Sequence, residues 1–328
     1  MIRRDEAEKS EIIQIVEHSS LPVKRTLDEM QVPRSTFYRW YKLYQEDGPA
    51  GLIDHRPNPG QVWNRIPQEV KQQVVELALE HPDRSPRQIA WLFTDEKGYF
   101  ISESSAYRIL KSFDLVESPA FTVVSAAEKF QHPTTHVHQL WQTDFTYFKI
   151  QGWGWYYLST VLDDFSRYIL AWKLTPTMST ADVQDTLLDA LKKTGLDHVL
   201  VEQRPRLLSD NGSCYVSKDL QLFLERRHIE HTRSAPYHPM TQGKIERYHR
   251  SMKNIVNLQN YFLPGVLESE IASFVAYYNN QRYHESLNNL TPADVYFGRA
   301  KEVLSKRDKI KRKTLQQRRL QNTQAAAV

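Results

Sequence analysis

Leu140-Trp141-Gln142-Thr143-Asp144-Phe145-Thr146 decides how the rest of this chain is read, because it sets an acid inside an aromatic and β-branched run of strand character. Two further acids have comparable settings. Asp210 closes the short apolar stretch Leu207-Leu208-Ser209 ahead of an Asn211-Gly212 turn, and Glu246 falls early in a helical segment that begins at Gly243-Lys244-Ile245, with 35 residues between the two acids. Each therefore sits where a rigid element can aim it. In-line displacement at phosphorus is served by two divalent ions about 4 Å apart, one on the attacking and one on the leaving oxygen. Hard cations take oxygen ligands and keep several waters, so two or three carboxylates are enough. Without cations, three clustered acids repel one another and at least one carboxyl is pushed up. Singly, each is one of 39 acids near a turn or on a solvated helix face; the reading depends on the three together.

The surroundings extend the pattern. Val161-Leu-Asp-Asp-Phe-Ser-Arg-Tyr168 reads as two strands meeting at a turn, with Asp163 and Asp164 organising it before Arg167. Ala235-Pro-Tyr-His-Pro-Met-Thr-Gln-Gly243 leads into the Glu246 helix, and Tyr278-Asn-Asn-Gln-Arg-Tyr-His-Glu-Ser-Leu287 with Thr291-Pro-Ala293 closes the region. Residues 139 to 300 in these motifs resemble the catalytic core shared by retroviral integrases and bacterial insertion-sequence transposases, and the closing segment is typical of the latter. The resemblance implies an α/β ribonuclease-H-like core, a mixed sheet flanked by helices, with Asp144, Asp210 and Glu246 as catalytic metal ligands. It implies two magnesium ions, for which manganese can substitute, and two steps: a metal-activated water frees a 3′-hydroxyl at the element end, and that hydroxyl attacks a target phosphodiester. Double-stranded DNA, both element terminal repeats and target, is the implied partner, and joining two ends implies a homodimer or larger synaptic assembly.

Around Glu246, the spacing 246, 249, 250, 253 places Glu246, His249, Arg250 and Lys253 on one helical face, suited to gripping DNA beside the scissile phosphate. A solvated face is the plain alternative, since Ile245, Met252 and Val256 supply a separate buried side. Lys244 is expected to anchor terminal phosphates as a point charge.

At 328 residues, 40% hydrophobic and 25% charged, the chain suits two or three globular domains. The single cysteine, Cys214, excludes an intramolecular disulfide and a Cys-rich zinc site. The start Met1-Ile-Arg-Arg-Asp-Glu6 has no apolar signal core and no run approaches 18 apolar residues, so a cytoplasmic protein, nucleoid-associated when on DNA and without a membrane, is expected. Net charge is only +4, but Lys301 to Arg319 holds nine Lys and Arg against Glu302 and Asp308. That run, within a basic tail over 301–328, either pairs with phosphates or is a solvated, partly helical tail; DNA contact is the favoured expectation.

The first 114 residues read as two helix-turn-helix units, all-α domains ahead of the core. In the first, over 1–56, Ile12, Ile13 and Val16 mark one helix and Val23, Leu27 and Met30 a second. Phe37, Trp40, Tyr41 and Tyr44 form the inward stripe of a third, whose opposite face carries Arg34, Ser35, Tyr38, Arg39 and Lys42. After a linker over 57–66 containing Pro57-Asn-Pro-Gly60, a second unit spans 67–114. Val70, Val74, Leu77 and Ala78 form one stripe, Ser85-Pro86 reads as a cap and first-turn proline, and Ile89, Leu92 and Phe93 continue inward. Ala106, Ile109, Leu110 and Phe113 give the last stripe, with Ser104, Ser105, Arg108 and Lys111 facing out. Basic and hydroxyl side chains on such helices meet phosphates and base edges.

Residues 115–138 read as a linker. Its His132, His136 and His138 lack a cysteine partner, and linker histidines outweigh a zinc module. Trp153-Gly-Trp-Tyr-Tyr157 reads as sheet core or edge rather than as a base-stacking platform. His238, in Pro236-Tyr-His-Pro239, either approaches the acids or shapes its loop, and nothing near Cys214 marks it as a nucleophile. A ribonuclease-H-type nuclease would share the acids without needing tandem helix-turn-helix units, and a transposase-derived DNA-binding regulator would tolerate loss of an acid, whereas all three are intact.

Overall fold

The computed structural model describes residues 6–19, 21–52, 63–116, 134–196, 204–233, 243–257 and 259–325, in two units, Met1–Trp63 and Asn64–Val328. His132, His238 and most of both linkers lie outside the described residues. In the first unit α1 (Glu6–His18), α2 (Val23–Glu29) and α3 (Arg34–Asp47) are followed by a 3-10 turn, Gly48–Leu52. Ile12, Ile13, Val16, Leu27, Phe37, Trp40 and Leu52 form its core, so the apolar stripes read from spacing bury as expected. Lys9 is buried as well and donates to the Leu52 carbonyl at 3.0 Å, tying the end of the unit to its first helix.

The second unit opens with α4 (Gln68–Glu80), α5 (Pro86–Lys97) and α6 (Glu103–Ser112). Ser85 begins α5 with a capping box, its hydroxyl accepting from the Gln88 amide while the Gln88 side chain returns to the Ser85 amide, and Pro86 fills the first turn. Val74, Leu77, Ile89, Phe93, Ala106 and Ile109 are among the buried residues of this three-helix core. Phe113 departs from the stripe: it follows the last turn of α6 and is 49% exposed, because the helical register that would bring it inward ends at Ser112.

The sheet follows, with β1 (Leu140–Ile150), β2 (Gly154–Asp163), β3 (Ile169–Thr175), β4 (Arg206–Ser209) and β5 (His231–Arg233) in the order β3-β2-β1-β4-β5. The first three strands are antiparallel, while β4 joins β1 and β5 joins β4 in parallel. Helices α7 (Thr180–Thr194) and α8 (Lys218–Arg226) cover one face, around Trp141, Val161, Leu187 and Leu224. On the other face, α9 (Gly243–Val256) and α10 (Pro264–Asn280) pack Ile245, Tyr248, Met252 and Phe274 against Phe148, Ile150, Leu158 and Leu162. Each such large side chain contributes about 1.5–3 kcal/mol on burial. This is the mixed sheet flanked by helices expected of a ribonuclease-H-like core.

The closing segment earns its residues locally. Asn279 accepts from the Ile169 amide at 2.9 Å and donates to its carbonyl at 3.1 Å, satisfying the start of β3 from the end of α10. After α11 (Pro292–Tyr296), the basic stretch forms one helix, α12 (Ala300–Ala325). It is not a free tail. Arg307 grips both Asp95 oxygens at 2.9 and 2.7 Å and lies over the rings of Trp91 and Tyr283. Arg318 donates to Tyr99, Phe100 and Asn64, and the Thr314 hydroxyl accepts from the Phe100 amide at 2.9 Å. Residues 307, 311, 314 and 318 follow helical spacing, so a polar stripe fastens α12 to the α4–α6 bundle, and Arg307 and Arg318 are buried there. Among the described residues, no helix is long and apolar enough to cross a membrane.

Candidate active site

Asp144 lies in mid β1, opposite Thr160 of β2. One carboxylate oxygen accepts from the Phe145 amide at 2.8 Å, and the other stands 3.4 Å from Nδ1 of His249. Asp210 directly follows β4, and its Oδ1 accepts from the Gly212 amide at 2.8 Å, closing a tight side-chain turn. The turn is tight there: an added Cβ would sit 3.0 Å from that same oxygen. Glu246 stands exposed in the first turn of α9. Strand, strand end and helix thus each present one acid.

Electrostatics shows that the three share one neighbourhood. Burial pushes the Asp210 carboxyl above its ordinary range and the charge of Asp144 pushes it further, against the pull of the Gly212 amide. Partial desolvation of its exposed side chain and the charge of Asp144 likewise raise Glu246, against the opposing pull of Arg250 and His249. A divalent cation relieves this repulsion, and three carboxylates are the donor set that hard cations take. The residues fit such ions in chemistry and charge. Their side chains are electrostatic neighbours rather than a closed cage, for among the described residues no three His, Cys, Asp or Glu converge as a metal-binding group. Asp144 and Asp210 also border a cleft of about 580 Å³, shared with Phe145, Tyr147, Trp155, Tyr157 and other residues.

Two residues expected to hold DNA are placed elsewhere. Lys244 is buried, its ammonium 2.6 Å from Asp164 Oδ2 and 3.1 Å from the Asp164 carbonyl. Desolvation and Arg167 lower its pKa, outweighing the pull of Asp164 even at that distance. The physical reason for the correction is helical phase: Lys244 precedes Ile245 on the side of α9 that enters the core. His249 is also buried, bridging Asp144 and the Thr160 hydroxyl, the latter at 3.3 Å, so it backs Asp144 instead of standing on the outer face of α9. Arg250 is exposed and Lys253 partly exposed. Lys253 is within reach of the charge of Asp144, although burial lowers its pKa overall.

Sequence reading missed the strut behind the site. Asp164 accepts from Lys244, from Thr134 at 2.6 Å and from the Gln142 side chain at 2.7 Å, and Oε1 of the same Gln142 side chain accepts from the Ile245 amide at 3.2 Å. Gln142 is two residues before Asp144, and Ile245 immediately precedes Glu246, so this buried network fixes one acid-bearing element against another. Asp163 accepts from the Ser166 amide and hydroxyl and the His138 amide, organising the turn as expected. His138 is engaged by Trp141 and Tyr296, while His136 is exposed beside Thr135. The signal for the strut was present as two successive acids, Asp163 and Asp164, after a strand; only long-range packing shows which lysine answers them.

On the helical units, Arg34, Ser35, Tyr38, Arg39 and Lys42 are exposed along α3, and Lys42 lies 3.7 Å from Glu46. Ser104, Arg108 and Lys111 are exposed along α6, where Arg108 folds back onto the Ser104 carbonyl at 3.1 Å.

Comparison with known proteins finds matches to both the helical region and the sheet-bearing region. Residues 134–239 and 227–292 match two family models described as integrase core domain, and residues 3–53 and 36–110 match two described as homeodomain-like domain. The transposase for insertion sequence element IS904 of Lactococcus lactis is 27% identical over 164 residues, 49% of this chain and 62% of the relative. The Gag-Pro-Pol polyprotein of squirrel monkey retrovirus is 34% identical over 118 residues, 36% of this chain and 6% of the polyprotein. The chain thus spans less than two thirds of either relative. Among solved structures, the catalytic core domain of HTLV-2 integrase in complex with magnesium aligns with 49% of this chain and 97% of its own, at 22% identity and a TM-score of 0.38.

Proposed function

We propose that this chain, a member of the integrase superfamily of the insertion-sequence transposase kind, binds element ends in double-stranded DNA and catalyses strand cleavage and strand transfer there. The observation that supports the reading is the placement of three acids on β1, at the end of β4 and on α9, with the charge of Asp144 felt by both Asp210 and Glu246. Asp144, Asp210 and Glu246 would hold two magnesium ions, or manganese in their place, which stabilise the attacking and leaving oxygens of an in-line displacement at phosphorus. His249 holds the Asp144 carboxylate from behind, and the Asp164 strut keeps α9 in register with β1. The first step hydrolyses a phosphodiester and leaves a 3′-hydroxyl; in the second that hydroxyl attacks a target phosphodiester and displaces its 3′-oxygen. Arg250 and Lys253 flank Glu246 and face the DNA backbone, while Arg34, Ser35, Arg39 and Lys42 of α3 and Ser104, Arg108 and Lys111 of α6 read the ends. Two ends are joined in one reaction, so a homodimer or larger assembly acts.

The test is cleavage and joining of a labelled end duplex in magnesium. Asp144→Asn, Asp210→Asn and Glu246→Gln each remove a ligand at nearly constant volume, and each is expected to abolish both steps while sparing end binding. Strand transfer retained by any one of the three variants removes that residue from the site.

A further inference from the structure

The β1–β2 hairpin carries rings that core packing does not use. Alternation along the pleat sends Phe148 and Ile150 under α9 and α10, where they are 3% and 0% exposed, and sends Tyr147 to the opposite face, where it is 55% exposed. On β2, Trp155, the register partner of Lys149, is 51% exposed, and Trp153 at the turn is 58% exposed. Of the two settings expected for Trp153 to Tyr157, sheet core or edge, its two tryptophans take the exposed edge. Strand β3 pairs with β2 only from Tyr157 onward, and β4 pairs with β1 only over Leu140–Gln142, so among the described residues the far half of the hairpin has no flanking strand to bring a layer over the face that carries Tyr147. Tyr147 and Trp155 meet edge to face, with centroids 5.3 Å apart. A cation attends each ring: Lys253 Nζ lies 4.2 Å from the Tyr147 centroid and Lys149 Nζ 5.9 Å from that of Trp155. Both rings open onto the same cleft as Asp144 and Asp210, with Met178 completing an apolar wall.

We infer that Tyr147 and Trp155 form a subsite for an unpaired nucleobase of the DNA end, next to the scissile phosphate. The inference rests on reading the three acids as the strand-cleavage site. A duplex end opened at that site releases bases whose π-faces are hydrophobic, and stacking on an aromatic side chain is worth about 1–3 kcal/mol per base without regard to sequence. Lys253 and Lys149 supply the positive charge that the accompanying phosphates need, and water leaves two exposed rings when a base covers them. Stacking here holds the opened strand aside and keeps the scissile phosphate against the acids.

The experiment uses the full chain with Tyr147→Ala, Trp155→Ala, Tyr147→Phe and Trp155→Phe. The probe is an end duplex carrying 2-aminopurine at each terminal position in turn, made fully paired and with its terminal pairs mismatched. Wild-type protein is expected to quench the fluorophore at one or two positions, the phenylalanine variants to retain that quenching, and the alanine variants to lose it. Joining by the alanine variants should fall about 5- to 150-fold on paired ends, the equivalent of 1–3 kcal/mol, and recover in part on mismatched ends, where opening is already complete. Wild-type quenching and joining in the alanine variants overturns the proposal. Equal loss on paired and mismatched ends, together with a smaller mass in sedimentation, also overturns it, in favour of contact between copies of the chain. Wild-type protein that quenches the probe but never cuts leaves the base subsite standing and refutes the catalytic reading instead.

Discussion

Replacing Lys244 with methionine separates two roles for the same residue. A phosphate anchor would be dispensable for folding, and its loss would reduce the log-log salt slope of end binding by about one unit. An interior strut behaves in the opposite way. Lys244 and Asp164 are 2.6 Å apart with side chains 7% and 2% exposed, so Lys244→Met strips a buried carboxylate of its ion-pair partner and leaves Arg167 as the neighbouring cation. Breaking such a pair costs about 3–5 kcal/mol. Thr134 and Gln142 still donate to Asp164 in the variant, which places the expectation at the lower end, about 3 kcal/mol. In a unit of this size, each kcal/mol moves Tm by about 2–4 °C, so calorimetry should show a fall of about 6–12 °C in the transition of the larger unit. The double variant Lys244→Met with Asp164→Leu should lose less than the sum of the single losses, because both charges leave together. The salt slope of binding should not change. A Tm within about 2 °C of wild type, with the slope reduced by one unit, would refute the strut and restore the phosphate anchor.

Arg307→Ala should release α12 from the three-helix bundle: it removes a two-pronged ion pair with Asp95 and a bond to the Asn289 carbonyl, each charged hydrogen bond worth about 1.5–3 kcal/mol, and limited proteolysis should then cut within 300–325. For Asp210 and Glu246, the raised folded carboxyls mean stability that is present at low pH and lost as pH climbs past the ordinary carboxylate range. At neutral pH magnesium should therefore raise the Tm of wild-type protein and raise that of Asp210→Asn much less; equal shifts would place ion binding elsewhere. Burial and Asp210 push the Cys214 thiol up to about 11, so an aromatic disulfide reagent at pH 8 should label the folded chain far more slowly than the denatured one.

Much of this protein is written locally. Local patterns placed β1 to β4 of the core and the six helices of the N-terminal units, though not the short β5, and the settings of Asp144, Asp210 and Glu246 put each acid on the element that carries it. Such features depend on neighbours within a turn or a strand, which a linear reading can see. What a charge or a ring does depends on what the fold lays against it. Lys244 and Lys253 are both lysines of α9, yet one is sealed against Asp164 and the other rests on Tyr147. The Arg307-to-Arg318 run has the composition of a solvated tail, and only the arrival of Asp95, Tyr99 and Phe100 turns its inner stripe into a clasp. Trp155 looks like core because it alternates like core. It is exposed because the neighbouring strands stop short of it, and the length of a neighbour is a property of the assembled sheet, not of the strand itself.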